Sequence, residues 1–348
     1  MKKLRFGILG AGGIADRRTL PGMVLASNAE ITAVMEINAD HAERLREKYH
    51  AKYAYTSAEE LVKNPEIDAV YIASPVVFHA AQAKLAADYG KHILLEKPIA
   101  MDIQEGEELL AYCKEKGVKV AAGFMMRFGA HIMNMKKAVA EGKIGQVVSG
   151  YSQFTLWLPK EAGNWRLSKA KSGGGSLMDM GVHCIDLLEY IIGSRVCEVG
   201  AFNDTVVFDY DVEDSSTVLL KMKNGAQCVV QTNFNIPDEV AKWRLEFFGT
   251  RGRLLGDTVI GQNDGGTLNA VFLDGVSGYD AAQDHGEMEG QYLEAEFGNM
   301  YTREVESFAD SVLNDKPLVV PASDALHVQK IIAAAYQSSE EHKLIEIK

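Results

Sequence analysis

The first third of the chain alternates short apolar runs with amphipathic or charged stretches. Leu4–Leu9 reads as a buried strand, followed by a glycine-rich turn and a helix. Ile31–Met35 reads as a second strand, and a charged helix follows across Asp40–Tyr49. A short run at Tyr53–Tyr55 precedes Ser57-Ala-Glu-Glu60, a capping-box start for the next helix. Ile67–Ala73 and His92–Leu95 are further apolar runs, the first bounded by Ser74-Pro75, where proline discourages helix in the residue before it. Asp102 with Glu105 predicts a capped helix ending at Gly117, and Val118–Ala122 closes the series. Strands alternating with helices predict a parallel sheet covered on both faces.

Beyond Gly123 the rhythm changes. A helix over Ile132–Ala140 leads into longer strand-like runs at Val147–Leu156, Ser216–Met222, Gln227–Phe234 and Arg244–Phe248. Arg251-Gly-Arg253 reads as the hairpin turn before Leu254–Leu255. Strands without intervening helices predict a mostly antiparallel sheet. Helices are expected around Arg303–Leu313 and Ala322–Ser339, the second capped by Ser323. The predicted class is therefore α/β, with a boundary near residue 123 that divides the chain into a first part over 1–123 and a second over 124–348. Val218-Leu219-Leu220 and Cys228-Val229-Val230 show no clean alternation, which predicts burial on both faces and hence packing of this sheet on a second subunit. Residues 274–298 carry Asp274, Asp280, Asp284, Glu287, Glu289, Glu294 and Glu296 around Tyr279 and Tyr292, and read as an acidic loop, with a substrate cover as the alternative.

Composition narrows the classes. With 348 residues, 47% hydrophobic and 24% charged, the chain has room for two packed cores. A net charge of −12 argues against a nucleic-acid partner and mildly against anionic membranes and polyphosphorylated substrates. Cys113, Cys184, Cys197 and Cys228 form no C-x-x-C pair and no metal-ligand spacing, so buried thiols, no metal and a reducing compartment are expected. Lys2, Lys3 and Arg5 before an apolar stretch resemble an export signal, but the glycines at 7–13 suit a strand-to-loop turn better. The expectation is a cytoplasmic protein without a targeting segment or membrane span.

Gly10-Ala-Gly12-Gly13-Ile14-Ala15 matches the dinucleotide fingerprint G-x-G-x-x-G/A, directly after a strand and before a helix. Gly10 permits the tight turn, Gly12 the close approach of backbone to pyrophosphate, and Ala15 the close helix–strand packing. The helix start offers N–H groups and the positive dipole end to phosphate. Glu36, at the end of the second strand and about 20 residues further on, can accept hydrogen bonds from the adenosine ribose hydroxyls. It would repel the 2′-phosphate of NADP, and Ile37 and Asn38 offer no arginine to hold one. NAD is the expected cofactor.

Further motifs carry a family resemblance. Gly90-Lys-His-Ile-Leu-Leu-Glu96-Lys97-Pro98 resembles the G-K-H-V-L-x-E-K-P signature of the glucose–fructose oxidoreductase, inositol dehydrogenase and MocA-type (Gfo/Idh/MocA) family. Ile72-Ala-Ser74-Pro75 with His79, Asn164-Trp165-Arg166, and Gly173-Gly-Gly-Ser-Leu-Met-Asp179-Met-Gly-Val-His183 resemble other motifs of that family, and Glu246-Phe-Phe-Gly249-Thr-Arg-Gly252 also fits. The resemblance covers nearly the whole chain. It implies a Rossmann domain followed by an α/β domain with an open sheet, hydride chemistry on a sugar, cyclitol or related secondary alcohol, and a homo-oligomer, dimer or tetramer. It places Lys97 as the active-site lysine and Asp179 and His183 as the acid/base pair. Ser74, Pro75, His79 and Glu96 join the cofactor side. In one departure, Ala130-His131 stands where the family often has a proline near the helix start.

The chemistry asks for these residue types. Oxidising a secondary alcohol needs a base titrating near neutrality, and histidine supplies one. If 179–183 is helical, Asp179 and His183 share a face. A lysine at a strand's C-terminal end can stabilise developing alkoxide charge. Arg127, Trp165 and Tyr279 are candidate contacts for a polyhydroxylated ring. Two other functions fit the same fold: a redox-neutral glycoside-cleaving enzyme that retains its NAD, and a dinucleotide-sensing regulator, against which the joint presence of Lys97, Asp179 and His183 argues.

Overall fold

The structure, a computed structural model, describes residues 2–161, 163–275, 278–279, 281 and 288–347. It divides into two compact units, one of residues 1–128 with 299–329 and the other of 129–298 with 330–348.

The first unit holds a six-stranded parallel sheet of β1 (Leu4–Leu9), β2 (Ala29–Met35), β3 (Tyr53–Tyr55), β4 (Ala69–Ile72), β5 (His92–Leu95) and β6 (Val120–Ala122). The strand order is 3-2-1-4-5-6, that of a doubly wound dinucleotide-binding sheet. Order reverses between β1 and β4, so the loops after those strands frame the crevice where such sheets bind ligands. Phe6, Ile8, Val34, Tyr71 and Leu94 form the core. Asp102 caps the helix Ile103–Glu115 by accepting from the Glu105 N–H at 2.8 Å, and Glu105 reciprocates on the Met101 N–H. Ser57 precedes the helix Ala58–Lys63, but its side chain makes no capping hydrogen bond.

A division at residue 123 therefore differs from the observed one in two ways. The first unit runs on to Phe128, and it takes back the helix Met300–Leu313. That helix buries Val305, Phe308 and Ala309 in the first core, with Phe308 packed 5.8 Å from the Phe6 ring. The next helix begins at Ala322, which puts Ser323 inside its first turn instead of ahead of it.

The second unit is a nine-stranded sheet of β7 (Val147–Thr155), β8 (Val196–Asp204), β9 (Ser215–Met222), β10 (Gln227–Asn233), β11 (Arg244–Gly249), β12 (Gly252–Asp257), β13 (Thr267–Phe272), β14 (Gln291–Tyr292) and β15 (Ile345–Glu346). Its order is 14-13-12-11-7-10-9-8-15, and every neighbouring pair is antiparallel except β7 with β10. One face buries Val218, Leu220, Cys228, Val230 and Phe247. The helix Val182–Ile192 lies over this face, where a side chain at Gly150 would crowd Leu188 and Cys228. Alternation is in fact kept: Leu219 is half exposed on the opposite face, in line with Val229 and Tyr151, and Phe248 shares that face. The outer face thus carries single exposed apolar residues and no continuous apolar run.

Among the described residues no helix is long and apolar enough to cross a membrane. All four cysteines are free, and Cys113, Cys184 and Cys228 are buried.

Candidate functional site

In the first unit the loops after β1, β2, β4 and β5 converge. Gly10 has φ +76°, and a Cβ there would sit 2.6 Å from the Ser74 backbone nitrogen. The turn after β1 thus passes too close to the end of β4 for any side chain. Gly10 and Ala11 donate their N–H groups to the Met35 carbonyl at 3.2 and 3.1 Å, tying this turn to β2 as well. Gly12 donates to Glu36 Oε1 at 2.6 Å, and Gly13, at φ +59°, faces open space. Ile14 leads into a π-type turn at Ala15–Thr19, which continues as the α-turn Leu20–Val24. Ala15 is fully buried, as close packing against the strand requires.

The result is a cradle of bare backbone with a carboxylate at its edge. It fits a dinucleotide: pyrophosphate can approach where side chains are absent, and Glu36 stands at the end of β2. Ile37 is exposed, and Asn38 caps the helix Ala39–Lys48 by accepting from the His41 N–H. Neither offers a cation.

The β4 and β5 loops are braced from within. Ser74 donates its hydroxyl to Gln82 Oε1 at 2.6 Å, ahead of Pro75. His79, expected to line the cofactor site, is instead buried with both ring nitrogens 2.8 Å from carbonyls, those of Pro98 and Ser74. Burial holds the ring below its ordinary pKa range against the pull of those carbonyls. It staples the two loops together. Glu96, also expected at the cofactor, turns inward and accepts from the Tyr71 hydroxyl at 2.6 Å, with Thr19 next in the chain of hydroxyls at 2.9 Å. Burial raises its carboxyl pKa, opposed by Tyr71 and by Lys97. Lys97 follows, partly exposed, and its peptide bond to Pro98 is cis.

Arg127, a candidate ring contact, is buried, its guanidinium donating to Asp324 Oδ2 at 2.9 Å and to the Val319 carbonyl at 2.8 Å. It ties the end of the first segment to the returning one.

The second unit carries Asp179 and His183. Residues Leu177–Gly181 form a π-type turn that runs into the helix Val182–Ile192, so the i, i+4 pair is wound more loosely than an α-helix would place it. His183 is buried near the helix start, and Asp179 is partly exposed. Arg166, the neighbour of Trp165, donates its Nε to Asp179 Oδ2 at 3.2 Å. The same guanidinium lies 4.7 Å over the half-exposed Trp165 ring. Trp165, Arg166 and Asp179 thus form one surface, whose cation and indole face suit a hydroxylated ring. The signal in the sequence was the arginine itself, beside a tryptophan and with a carboxylate in need of a partner.

Tyr279 is not brought to this group: it is 87% exposed. Asp280, Asp284 and Glu287 of the acidic segment lie outside the described residues. His131 is buried, with Nε2 3.3 Å from the Gly266 carbonyl and its ring edge-on to Phe297.

The model of an oxidoreductase family with an NAD-binding Rossmann fold matches residues 4–124, and that of the GFO/IDH/MocA C-terminal domain matches 132–255. A 1,5-anhydro-D-fructose reductase of Ensifer adhaerens is 30% identical over 274 residues, 78% of this chain and 81% of that one. A D-xylose 1-dehydrogenase (NADP(+)) of Haloferax volcanii is 30% identical over 346 residues, covering 99% of this chain and all of that one. Among solved structures, an aldose-aldose oxidoreductase from Caulobacter crescentus complexed with glycerol superposes with a TM-score of 0.88 at 24% identity, covering 99% of this chain and 100% of that one. At that identity the likeness concerns the fold.

Proposed function

The chain belongs to the GFO/IDH/MocA family of oxidoreductases with an NAD-binding Rossmann fold, and from that premise we propose that it transfers hydride between a secondary alcohol of a sugar, glycoside or cyclitol and NAD. The observation that carries the cofactor half is the Glu36 carboxylate on the Gly12 N–H at 2.6 Å, at the rim of a side-chain-free cradle. A carboxylate there favours ribose hydroxyls and disfavours a 2′-phosphate. One relative bears NADP(+) in its name, and Glu36 is the reason to assign NAD to this chain instead.

The turn from Gly10 to Ala15 and Glu36 would hold the dinucleotide, which would supply hydride transfer to or from a carbinol carbon. The chain's own residues handle the proton and the charge. His183 accepts the hydroxyl proton in the oxidative direction, as a base whose ordinary pKa lies near neutrality. Lys97, at the C-terminal end of β5, stabilises charge developing on the reacting oxygen. Asp179 is held by Arg166, which keeps its carboxylate oriented to accept from a substrate hydroxyl, with Trp165 as an apolar face for the ring. The substrate class follows from that surface and from the reductase and dehydrogenase relatives. The exposed outer face of the second sheet, with Leu219 and Phe248, supports a homo-oligomer.

The test is a panel of polyols, aldoses and glycosides with NAD and with NADP, read as reduced cofactor. At least one polyhydroxylated compound should yield NADH at saturating NAD. NADH binding without turnover on any compound, in either direction, would remove the enzymatic reading. Cleavage of a glycoside with no net NADH would replace it with the redox-neutral one.

A further inference from the structure

We infer that Glu213, with Tyr336 behind it, is the positioning residue for the helix that carries Asp179 and His183. The inference rests on the proposed role of those two groups in the reaction.

A helix start leaves its first N–H groups without intrahelical partners. Here the residue at the N-cap position, Ser176, makes no side-chain capping bond. A distant residue does the work instead. Glu213 Oε2 accepts from the Gly175 N–H at 2.9 Å, and Oε1 from the Leu177 N–H at 3.0 Å. The Glu213 carbonyl accepts the remaining one, from Ser176, at 3.1 Å. Three consecutive amides are thus satisfied by one residue. A negative charge at this end of the helix is also favoured by its dipole.

The Tyr336 hydroxyl donates to Glu213 Oε1 at 2.9 Å, fixing the carboxylate from the other side. Asp214 anchors the same corner, accepting from the N–H groups of Val206, Val207 and Phe208 at 2.8 to 2.9 Å. This gives a physical reason for the glycine run. A Cβ on Gly174 would collide with the Tyr336 hydroxyl, and one on Gly175 with the Glu213 carbonyl. Gly174 and Gly175 are bare because Tyr336 and Glu213 press against them, whereas Gly173 has a left-handed φ of +78°.

The clamp reaches the candidate site in one step. The Asp179 N–H donates to the Gly175 carbonyl at 3.0 Å, so the residue held by Glu213 sets the first turn under Asp179, and His183 follows one turn later. Glu213 itself is buried. It acts through the helix.

The test compares Glu213→Gln and Tyr336→Phe with wild type and with His183→Ala. The amide of Gln presents a donor to one of the two backbone N–H groups, so amide hydrogen exchange at 175–179 should rise roughly tenfold, the scale of one lost charge-assisted hydrogen bond. On the compound found by the panel, kcat should fall by about as much, and the apparent pKa of the pH profile should move. NADH affinity, a property of the other unit, should stay unchanged. Tyr336→Phe should move the same quantities the same way by less, and it decides the matter if Glu213→Gln does not fold. Raised exchange with wild-type kcat, KM and pH profile would overturn the positioning role. If His183→Ala keeps wild-type kcat, the site reading itself fails, and this inference with it.

Discussion

Glu36→Ala separates the cofactors by a calculable amount. Two unit charges about 4 Å apart repel by about 1 kcal/mol in water and about 4 kcal/mol at an effective dielectric constant of 20. A 2′-phosphate carries close to two charges, and Glu36 is partly exposed, so the solvated end applies: roughly 2 kcal/mol, or about 30-fold in affinity. Removing the carboxylate should therefore tighten NADPH binding by about 30-fold. It should also weaken NADH itself by about tenfold, because the ribose loses its acceptor. Glu36→Gln keeps an oxygen for the Gly12 N–H and the ribose but loses the charge, so it should tolerate NADPH while holding NADH better than the alanine variant. Dissociation constants from nicotinamide fluorescence read all of this without a known substrate. Raising salt should shrink the discrimination in wild type, since exposed charges are screened. Equal affinity of wild type for both cofactors, or an unchanged ratio in Glu36→Ala, would refute the reasoning.

Three further outcomes are expected. Arg127→Met should destabilise by about 3–5 kcal/mol, because it strands the Asp324 carboxylate beside it; urea unfolding with a wild-type midpoint would contradict the buried pair. Glu304 is buried, its Oε1 has no hydrogen-bond partner among the described residues, and burial holds its carboxyl well above the ordinary range. The folded state then keeps a proton that the unfolded state releases, so stability is full below about pH 4 and is lost as pH rises toward the folded pKa. Glu304→Gln should raise the melting temperature, by an increment that grows from about pH 5 to about pH 8, and a pH-independent increment would argue against a titrating Glu304. Light scattering at micromolar concentration should give a multiple of the chain mass, and Leu219→Glu on the exposed sheet face should lower it; a wild-type monomer would remove the oligomer.

Local features were the ones legible in the sequence. The fingerprint from Gly10 to Ala15, the acid at Glu36 and the six strands of the first sheet depend on residues close together in the chain, and the structure shows all of them. The helix Met300–Leu313 was legible as an amphipathic helix but not as part of the first unit, because a periodic apolar face says that a helix packs and not onto what. β8 was missed because Glu198, Asn203 and Asp204 interrupt its apolar positions, and β13 because it follows a glycine pair and has little pattern of its own. The same distance limit governed the site. The ion pair of Arg127 was not legible because its partner Asp324 lies almost 200 residues on. The contacts of Glu96 and His79 were not legible because the groups they brace are set by the fold. Glu213 carried no signal, since its importance lies in amides that a sequence does not display.

The proton acceptor is the most exposed point of the account, and one measurement reaches it directly: kcat for substrate oxidation by His183→Ala as a function of pH, with NADH affinity measured on the same sample. The account predicts a fall in kcat of roughly 10²–10⁴, loss of the rise with pH seen in wild type, and unchanged NADH binding. Near-wild-type kcat with the same pH profile would contradict it and return His183 to the core of the second unit.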